Sequence, residues 1–291
     1  MHLSKLSLCL CLVCAAIAMS GCSTTRFMAD SMVPMTAKMN LAVNKNTDIE
    51  MVRDAMPAGI IQLEGLLEAS PENTAFMIQL AEAYYGYGFS FFEDTDPARA
   101  SMLYEKSYGY AIRALASKKR FSKALLGPFK DFKPALQTLD KEDVPALFWA
   151  AGSRMSWIGL NFDNPVALVE LDKVEEMLKR CCELDETFYY GAAQASLGAY
   201  FAARSPLEGG NPKLSRSHFE RAFEISKGRM LTFYLLFAKY YAYQIQDKDI
   251  YLSTLKRIVS TQPDILPEKA FANAIARRKA KVMIEHVDDL F

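Results

Sequence analysis

The sequence predicts an all-α protein, a TPR-like helical-repeat solenoid of antiparallel helix pairs with a capping C-terminal helix. Related short phrases end apolar-periodic stretches at residues 66–71, 181–186, 222–227 and 258–263. The last three begin 41 and 36 residues apart, in the range of stacked helix-pair repeats, for which the tetratricopeptide (TPR) period is ~34 residues. No segment shows the alternation of a half-buried strand, so we expect no sheet. An alternative that stays open is a set of ordinary amphipathic helices without a repeat relationship.

The N-terminus predicts an export signal. Lys5 precedes an apolar core over residues 6–18. This core has the length of a signal peptide and is too short to span a membrane as a mature helix. Residues 1–21 are therefore expected to be a lipoprotein signal peptide that is removed.

The end of that segment predicts a lipid anchor. Met19-Ser20-Gly21-Cys22 resembles a bacterial lipoprotein cleavage box, although Met19 stands where Leu is usual. Cys22 is the expected lipidation site, because several acyl chains anchor a protein durably where one does not. Ser23 at the next position favours, by resemblance to Gram-negative lipoproteins, the periplasmic face of the outer membrane over the inner one. Ordinary secretion is the alternative.

The mature chain divides into two predicted regions. Residues 22–47 form a lipidated tether or soft N-terminal helix, with four methionines at helical spacing. Residues 48–291 form one TPR-like all-helical domain. Asp96-Pro97, Asn164-Pro165 and Asn211-Pro212 predict helix starts, because each places a capping side chain before a proline at the first helical position. The predicted helices cover residues 49–69, 73–85, 96–118, 144–160, 164–184, 186–204, 213–226, 230–246, 249–261 and 267–291, with short helices and loop over 121–140.

Composition excludes several classes of function. The chain has 34 Lys and Arg against 34 Asp and Glu, so no basic excess indicates nucleic-acid binding. The mature His residues are His218 and His286, and no Cys/His cluster has metal-ligand spacing. Cys181 and Cys182 are the cysteines left after the signal and the anchor, and adjacent helical cysteines do not favour a disulfide. We therefore expect no cofactor, no metal and no enzymatic activity.

Several phrases, in order, resemble the T component of tripartite ATP-independent periplasmic (TRAP) transporters, the TatT family. They are DIEMVRDAMP at residues 48–57, YGFSFFED at 87–94, LGAYFAARSPLEGGNP at 197–212, HFERA at 218–222, and NAIARRKA with DDLF at 273–280 and 288–291. The resemblance implies a periplasmic TPR-like lipoprotein that associates with the transporter's substrate-binding P component. It also implies a homotrimer and a cavity for a hydrophobic ligand.

An unusual aromatic stretch predicts where such a ligand would lie. Residues 84–92 combine aromatics with two glycines at the expected end of a helix. Glycine permits close backbone approach, and aromatic rings supply apolar area. The alternative is a packed turn of the core. The candidate lining residues, which include aromatics from expected first helices of the pairs, are Tyr84, Tyr87, Phe89, Phe91, Phe92, Trp149, Trp157, Tyr200 and Tyr240.

One loop is the candidate contact for a partner protein. It contains Leu207, Gly209, Gly210 and Asn211, and it is an insertion relative to a bare ~34-residue repeat. Loops on a rigid scaffold often carry recognition. The predicted function is that of a lipid-anchored periplasmic accessory protein of a TRAP-type transporter, which docks the substrate-binding subunit and holds a hydrophobic ligand. The alternative is an outer-membrane envelope or assembly lipoprotein that uses its repeats as a scaffold for other proteins.

Overall fold

The computed structural model describes residues 24–205, 207 and 209–291, and this part is all-helical, without strands. The predicted signal peptide and Cys22 lie outside the described residues. The main helices are α1 (24–31), α2 (Val33–Lys45), α3 (Ile49–Ala69), α4 (Thr74–Phe91), α5 (Pro97–Ala114), α6 (Lys119–Leu125), α7 (Phe129–Leu136), α8 (Val144–Leu160), α9 (Pro165–Val169), α10 (Leu171–Asp185), α11 (Ala192–Ala202), α12 (Pro212–Ser226), α13 (Leu231–Leu236), α14 (Lys248–Ser260) and α15 (Ala270–Glu285).

Side-chain caps fix where several helices begin. Asp48, Asn73, Asp96, Asn211 and Asp247 each accept a hydrogen bond from the backbone N–H three residues later. Each cap satisfies a donor that the first turn of a helix leaves unpaired. The Asp96 and Asn211 caps therefore confirm two of the three starts predicted from the cap-and-proline pattern.

Much of the packing is between successive long helices, with the short helices α6, α7 and α9 passed over. α4 packs on α5, α5 on α8, α8 on α10, α10 on α11, and α11 on α12. Close approach of α11 and α12 depends on Gly198, where an added Cβ would lie 2.7 Å from the ring of Phe219. Phe219 is itself fully buried. A small residue facing an aromatic ring therefore sets the distance between these two helices.

The C-terminal helix brings the two ends of the described chain together. α15 packs against α13 and α14, and it also reaches α2 and α3. The all-helical prediction is confirmed for the described residues. The arrangement of these helices as a TPR-like repeat solenoid stays a prediction.

Two helices differ from the predicted pattern. α4 does not end near residue 85 but continues through both glycines of the aromatic stretch to Phe91. Gly88 is used for packing, because an added Cβ there would lie 3.2 Å from the ring of Tyr104 on α5. After α13, the chain continues as a π-helix over Phe237–Ala242, a rare form that often occurs at functional sites.

Candidate functional site

The described part of the protein encloses a large cavity of about 860 Å³. Ligand sites usually have volumes of ~300–1,000 Å³, so this one has room for a molecule of that class. Its walls come from α2, α3, α4, α8, α11, α13 and α15, and from the turn that precedes α11. Most of the lining side chains are apolar, and Met32, Met39, Met56 and Met230 are among them.

The cavity opens between α2 and α3. Met32 and Met39 of α2 line the cavity and are 42% and 48% exposed. On α3, Ala55 and Gly65 also line it and are exposed. Ala58 and Gly59 of α3 line it as well, so several of the α3 positions along the opening are small. An added Cβ at Gly65 would meet nothing within 4 Å.

Part of the cavity wall is aromatic. Trp149 of α8 is 4% exposed. Its ring lies 5.4 Å from the ring of Tyr85 and 5.3 Å from that of Tyr189. Phe148 stacks on Tyr189 at 6.1 Å. Tilted and edge-to-face contacts of this kind hold large apolar rings in fixed positions, so the wall is rigid.

One polar cluster interrupts the apolar lining. The carboxylate of Glu82 on α4 accepts hydrogen bonds from the Asn40 amide at 3.1 Å, the Tyr189 hydroxyl at 3.3 Å and the Lys269 ammonium at 3.5 Å. The Lys269 ammonium also lies 3.7 Å from the centre of the Tyr189 ring. Burial lowers the pKa of Lys269, an effect that Glu82 opposes. Burial likewise raises the pKa of Tyr189, which keeps its hydroxyl a hydrogen-bond donor.

The backbone that presents Tyr189 is strained. Tyr189, Tyr190 and Gly191 are consecutive left-handed residues, with φ of 47°, 61° and 89°. Non-glycine residues in this region cost on the order of 1–3 kcal/mol each and often occur at ligand sites. Gly191 packs closely, because an added Cβ would lie 3.1 Å from Ile225. The Tyr190 hydroxyl donates to Glu268 at 2.7 Å, so the neighbouring side chain helps to hold the turn.

Only some of the predicted lining residues line the cavity. Phe89 and Trp149 line it. The other predicted positions are not among its lining residues: Tyr84, Tyr87, Phe91, Phe92, Trp157, Tyr200 and Tyr240.

Helix geometry explains why Phe89 of α4 lines the cavity and the other predicted aromatics of this helix do not. The face that looks into the cavity contains Gln79, Glu82, Gly86 and Phe89, which recur at the three- and four-residue spacing of one helix face. Tyr84 lies off that face, and its hydroxyl instead donates to Glu64 at 2.7 Å.

The predicted positions outside α4 have other partners. The ring of Trp157 faces the guanidinium of Arg154 at 4.9 Å, and that of Tyr200 faces Arg204 at 3.9 Å. Tyr240 lies in the π-helix. Sequence reasoning missed the polar cluster and Tyr189, which belong to segments far apart in the chain.

The predicted partner loop is exposed and sterically constrained. Leu207 is 100% exposed. Gly209 has φ +91°, and an added Cβ at Gly210 would lie 1.9 Å from the carbonyl oxygen of Arg204, so only glycine fits there. The Asn211 side chain caps α12 by accepting from the N–H of Leu214 at 3.0 Å. Residues 209–211 are therefore constrained, and Leu207 is exposed.

Neither the two described cysteines nor any described group of metal-ligand side chains indicates a reactive or metal site. Cys181 is buried and Cys182 half-buried, and both are free thiols. Burial raises the pKa of Cys182 to about 12, which suppresses the thiolate. Among the described residues, no cluster of three or more His, Cys, Asp or Glu side chains is placed to hold a metal ion. In the same residues, every helix is too short or too polar to cross a membrane.

Comparison with known proteins identifies a family that this chain matches. A family model described as TRAP transporter T-component matches residues 45–291. A protein of Treponema pallidum (strain Nichols), itself described as uncharacterized, is 20% identical to this chain, and the match covers 97% of the chain and 95% of that protein.

Proposed function

The chain belongs to the family of TRAP transporter T components, and from that premise we propose that it is a lipid-anchored periplasmic accessory subunit. In this role it docks the transporter's substrate-binding (P) subunit and holds a hydrophobic ligand in its cavity. The observation that carries the proposal is the cavity itself, which combines about 860 Å³ with a mainly apolar lining and an opening between α2 and α3.

The lining suits a flexible apolar ligand. Methionine side chains adapt to irregular shapes because they are unbranched and have three rotatable bonds. The fixed ring of Trp149 lines the same cavity, so a ligand would meet both adaptable and rigid apolar surfaces.

A neutral fluorescent dye such as Nile red tests ligand holding directly. We expect the dye to bind the purified protein and brighten, and Phe89→Asp to weaken binding by about 1–3 kcal/mol, the value of burying one aromatic ring. Phe129→Asp is the matched control, because Phe129 is 42% exposed and does not line the cavity. Equal losses in both variants, or a wild-type protein that leaves the dye dark, would remove the ligand-holding proposal.

The anchor proposal rests on the lipoprotein box and on the exposed apolar side chains close behind it. Cys22 is two residues before the first described helical residue, which limits the span between their Cα atoms to about 7 Å. Phe27 and Met28, in the first turns of α1, are 73% and 62% exposed. Lipid at Cys22 would therefore bring these side chains next to the bilayer. Radiolabelled palmitate should enter the wild type and not Cys22→Ser, and an unlabelled wild type would refute the anchor.

The docking proposal uses the exposed loop at Leu207. Any P subunit that is co-encoded with this protein should bind it, and Leu207→Glu should weaken that complex. Leu126→Glu is the control, since Leu126 is 92% exposed on a different helix end. An apolar contact tolerates moderate salt, whereas a contact steered by charge weakens as screening grows. A titration at low and high ionic strength separates the two, and the absence of binding to that subunit would refute docking.

A further inference from the structure

One charged side chain faces the cavity, where it pairs with a buried lysine. Glu82 is the single Asp, Glu, Lys or Arg among the described residues that line the cavity. A carboxylate in an apolar wall is expensive unless its oxygen atoms are well paired. Lys269 offsets part of that cost, because removing either member of the pair alone would leave the other buried without a partner.

The partners of Glu82 leave it incompletely satisfied. Its three donors, on Asn40, Tyr189 and Lys269, lie 3.1, 3.3 and 3.5 Å from its oxygens. Hydrogen bonds from charged or polar donors to a carboxylate are usually nearer ~2.7–2.9 Å. A carboxylate has two oxygens with about four acceptor positions. Glu82 therefore has acceptor capacity to spare on the cavity wall.

Near Glu82, the cavity wall also has an acceptor that no donor of the protein satisfies. Gln79 lies one helical turn from Glu82 and also lines the cavity. Its buried Oε1 atom accepts no hydrogen bond. Asn44, another lining residue, already donates to the Oδ1 atom of Asn40 at 3.2 Å. A donor supplied by a bound molecule would meet acceptors here and few competing donors.

The charge balance limits what that donor is. The Lys269 ammonium lies beside Glu82 and neutralises its charge, so a ligand cation is not required. A ligand carboxylate would bring a second negative charge against Glu82, and like charges at close range repel. The position therefore suits an uncharged donor such as a hydroxyl or an amide N–H.

We propose that Glu82 accepts a hydrogen bond from the head of the ligand, and that the cavity takes single-chain amphiphiles whose head is an uncharged hydrogen-bond donor. This inference rests on the proposed ligand-holding function and names the class of ligand. The strained turn at Tyr189 and the Lys269 side chain position the carboxylate, while the apolar remainder of the cavity receives the chain.

Displacement of Nile red by four ligands with one dodecyl chain tests the head-group preference. The ligands are 1-dodecanol, dodecyl methyl ether, dodecanoate and dodecylammonium, added to the full mature chain carrying Cys22→Ser so that no detergent competes. One additional hydrogen bond is expected to make dodecanol about five- to tenfold tighter than the ether. Dodecanoate should bind more weakly than the ether.

Two variants separate recognition from folding. Replacing both members of the charge pair in Glu82→Leu/Lys269→Met avoids leaving one of them buried alone, and it should remove the advantage of dodecanol while the ether binds as before. Glu82→Gln keeps an acceptor but removes the charge, so dodecanoate should improve relative to the ether. A circular dichroism spectrum and an affinity for Nile red that match those of the wild type establish that each variant is folded.

The outcomes distinguish the two proposals. Equal binding of dodecanol and ether by the wild type would overturn head-group recognition and leave ligand holding intact. Tighter binding of dodecylammonium than of dodecanol would overturn the uncharged class. A dodecanol preference that survives the double variant would overturn the role of Glu82. If neither Nile red nor any dodecyl ligand binds, both the inference and the ligand-holding function fail.

Discussion

Gly65→Leu is expected to fill the opening of the cavity while stabilising the protein. Gly65 lies inside α3, is exposed and lines the cavity. An added Cβ there would meet nothing within 4 Å, and we expect the rest of a leucine side chain to extend into the opening. Most cavity-blocking substitutions also damage the core, so a site that separates the two effects is valuable.

The two effects have opposite signs. In a helix interior, leucine is more favourable than glycine by about 0.7 kcal/mol, so the free energy of unfolding should rise by that amount. Ligand binding should weaken, because the leucine side chain occupies the space of about four ligand carbons. At ~0.8 kcal/mol for each buried CH₂ group, the upper limit of the loss is about 3 kcal/mol. A flexible chain can shift within a cavity of this size, so the expected loss is about 1–2 kcal/mol.

Gly109→Leu is the matched control. Gly109 is also an exposed glycine inside a helix, α5, with nothing within 4 Å of an added Cβ, and it does not line the cavity. Urea unfolding should show similar stabilisation of both variants, and Nile red titration should show weaker binding by Gly65→Leu alone. Unchanged dye binding in Gly65→Leu would mean that ligands do not use the space beside α3. A loss of stability in Gly65→Leu would show that this space is not open.

Two further substitutions test the packing and the buried charges. Gly198→Ala should destabilise the protein by about 1–3 kcal/mol in urea, because its Cβ would collide with Phe219, whereas Gly159→Ala, with open space, should not. Glu93→Gln should cost about 1–3 kcal/mol at neutral pH, since Glu93 accepts from Tyr104 at 2.5 Å and Lys239 at 2.9 Å. Burial alone would raise the pKa of Glu93, but Lys239, Lys279 and Tyr104 outweigh it and lower that pKa. Its stabilisation is therefore complete above the unfolded carboxyl pKa of about 4.3 and is lost as pH falls through the lower folded value. The difference between wild type and Glu93→Gln should shrink near pH 3 in a urea series, and an unchanged difference would contradict the assignment.

Much of the fold follows from local signals in the sequence. The family predicted from ordered phrases is confirmed by the match over residues 45–291, and the described residues are helical as predicted. Caps such as Asp96 and Asn211 made starts predictable because their chemistry acts within one turn. The end of α4 was not predictable in this way. Its glycines suggested a helix end, but Gly88 is needed for contact with α5, a tertiary reason that no local pattern contains.

The site was less predictable than the fold, because it depends on which face of each helix turns inward. Aromatic density selected the right part of α4, and Phe89 does line the cavity. Aromatic density cannot choose between Phe89 and Tyr84, whose side chains leave the helix in different directions. Helical spacing from Gln79 and Glu82 through Phe89 would have given the inward face. Nothing in the sequence joins Glu82 to Tyr189 and Lys269, since the fold brings them together from distant segments.

The physical character of the cavity also indicates where its selectivity arises. The methionines among the lining residues adapt to many shapes, so the fit of the chain should discriminate poorly between ligands. An extra methylene in an apolar site changes binding by only about 1–3 kcal/mol. A ligand that leaves a buried polar group of the site without a hydrogen bond is excluded more strongly. Glu82 is the charged group on that wall, and a strained turn and a buried lysine hold its surroundings in place. Selectivity among apolar molecules should therefore depend on the head group that meets Glu82 more than on the length of the chain.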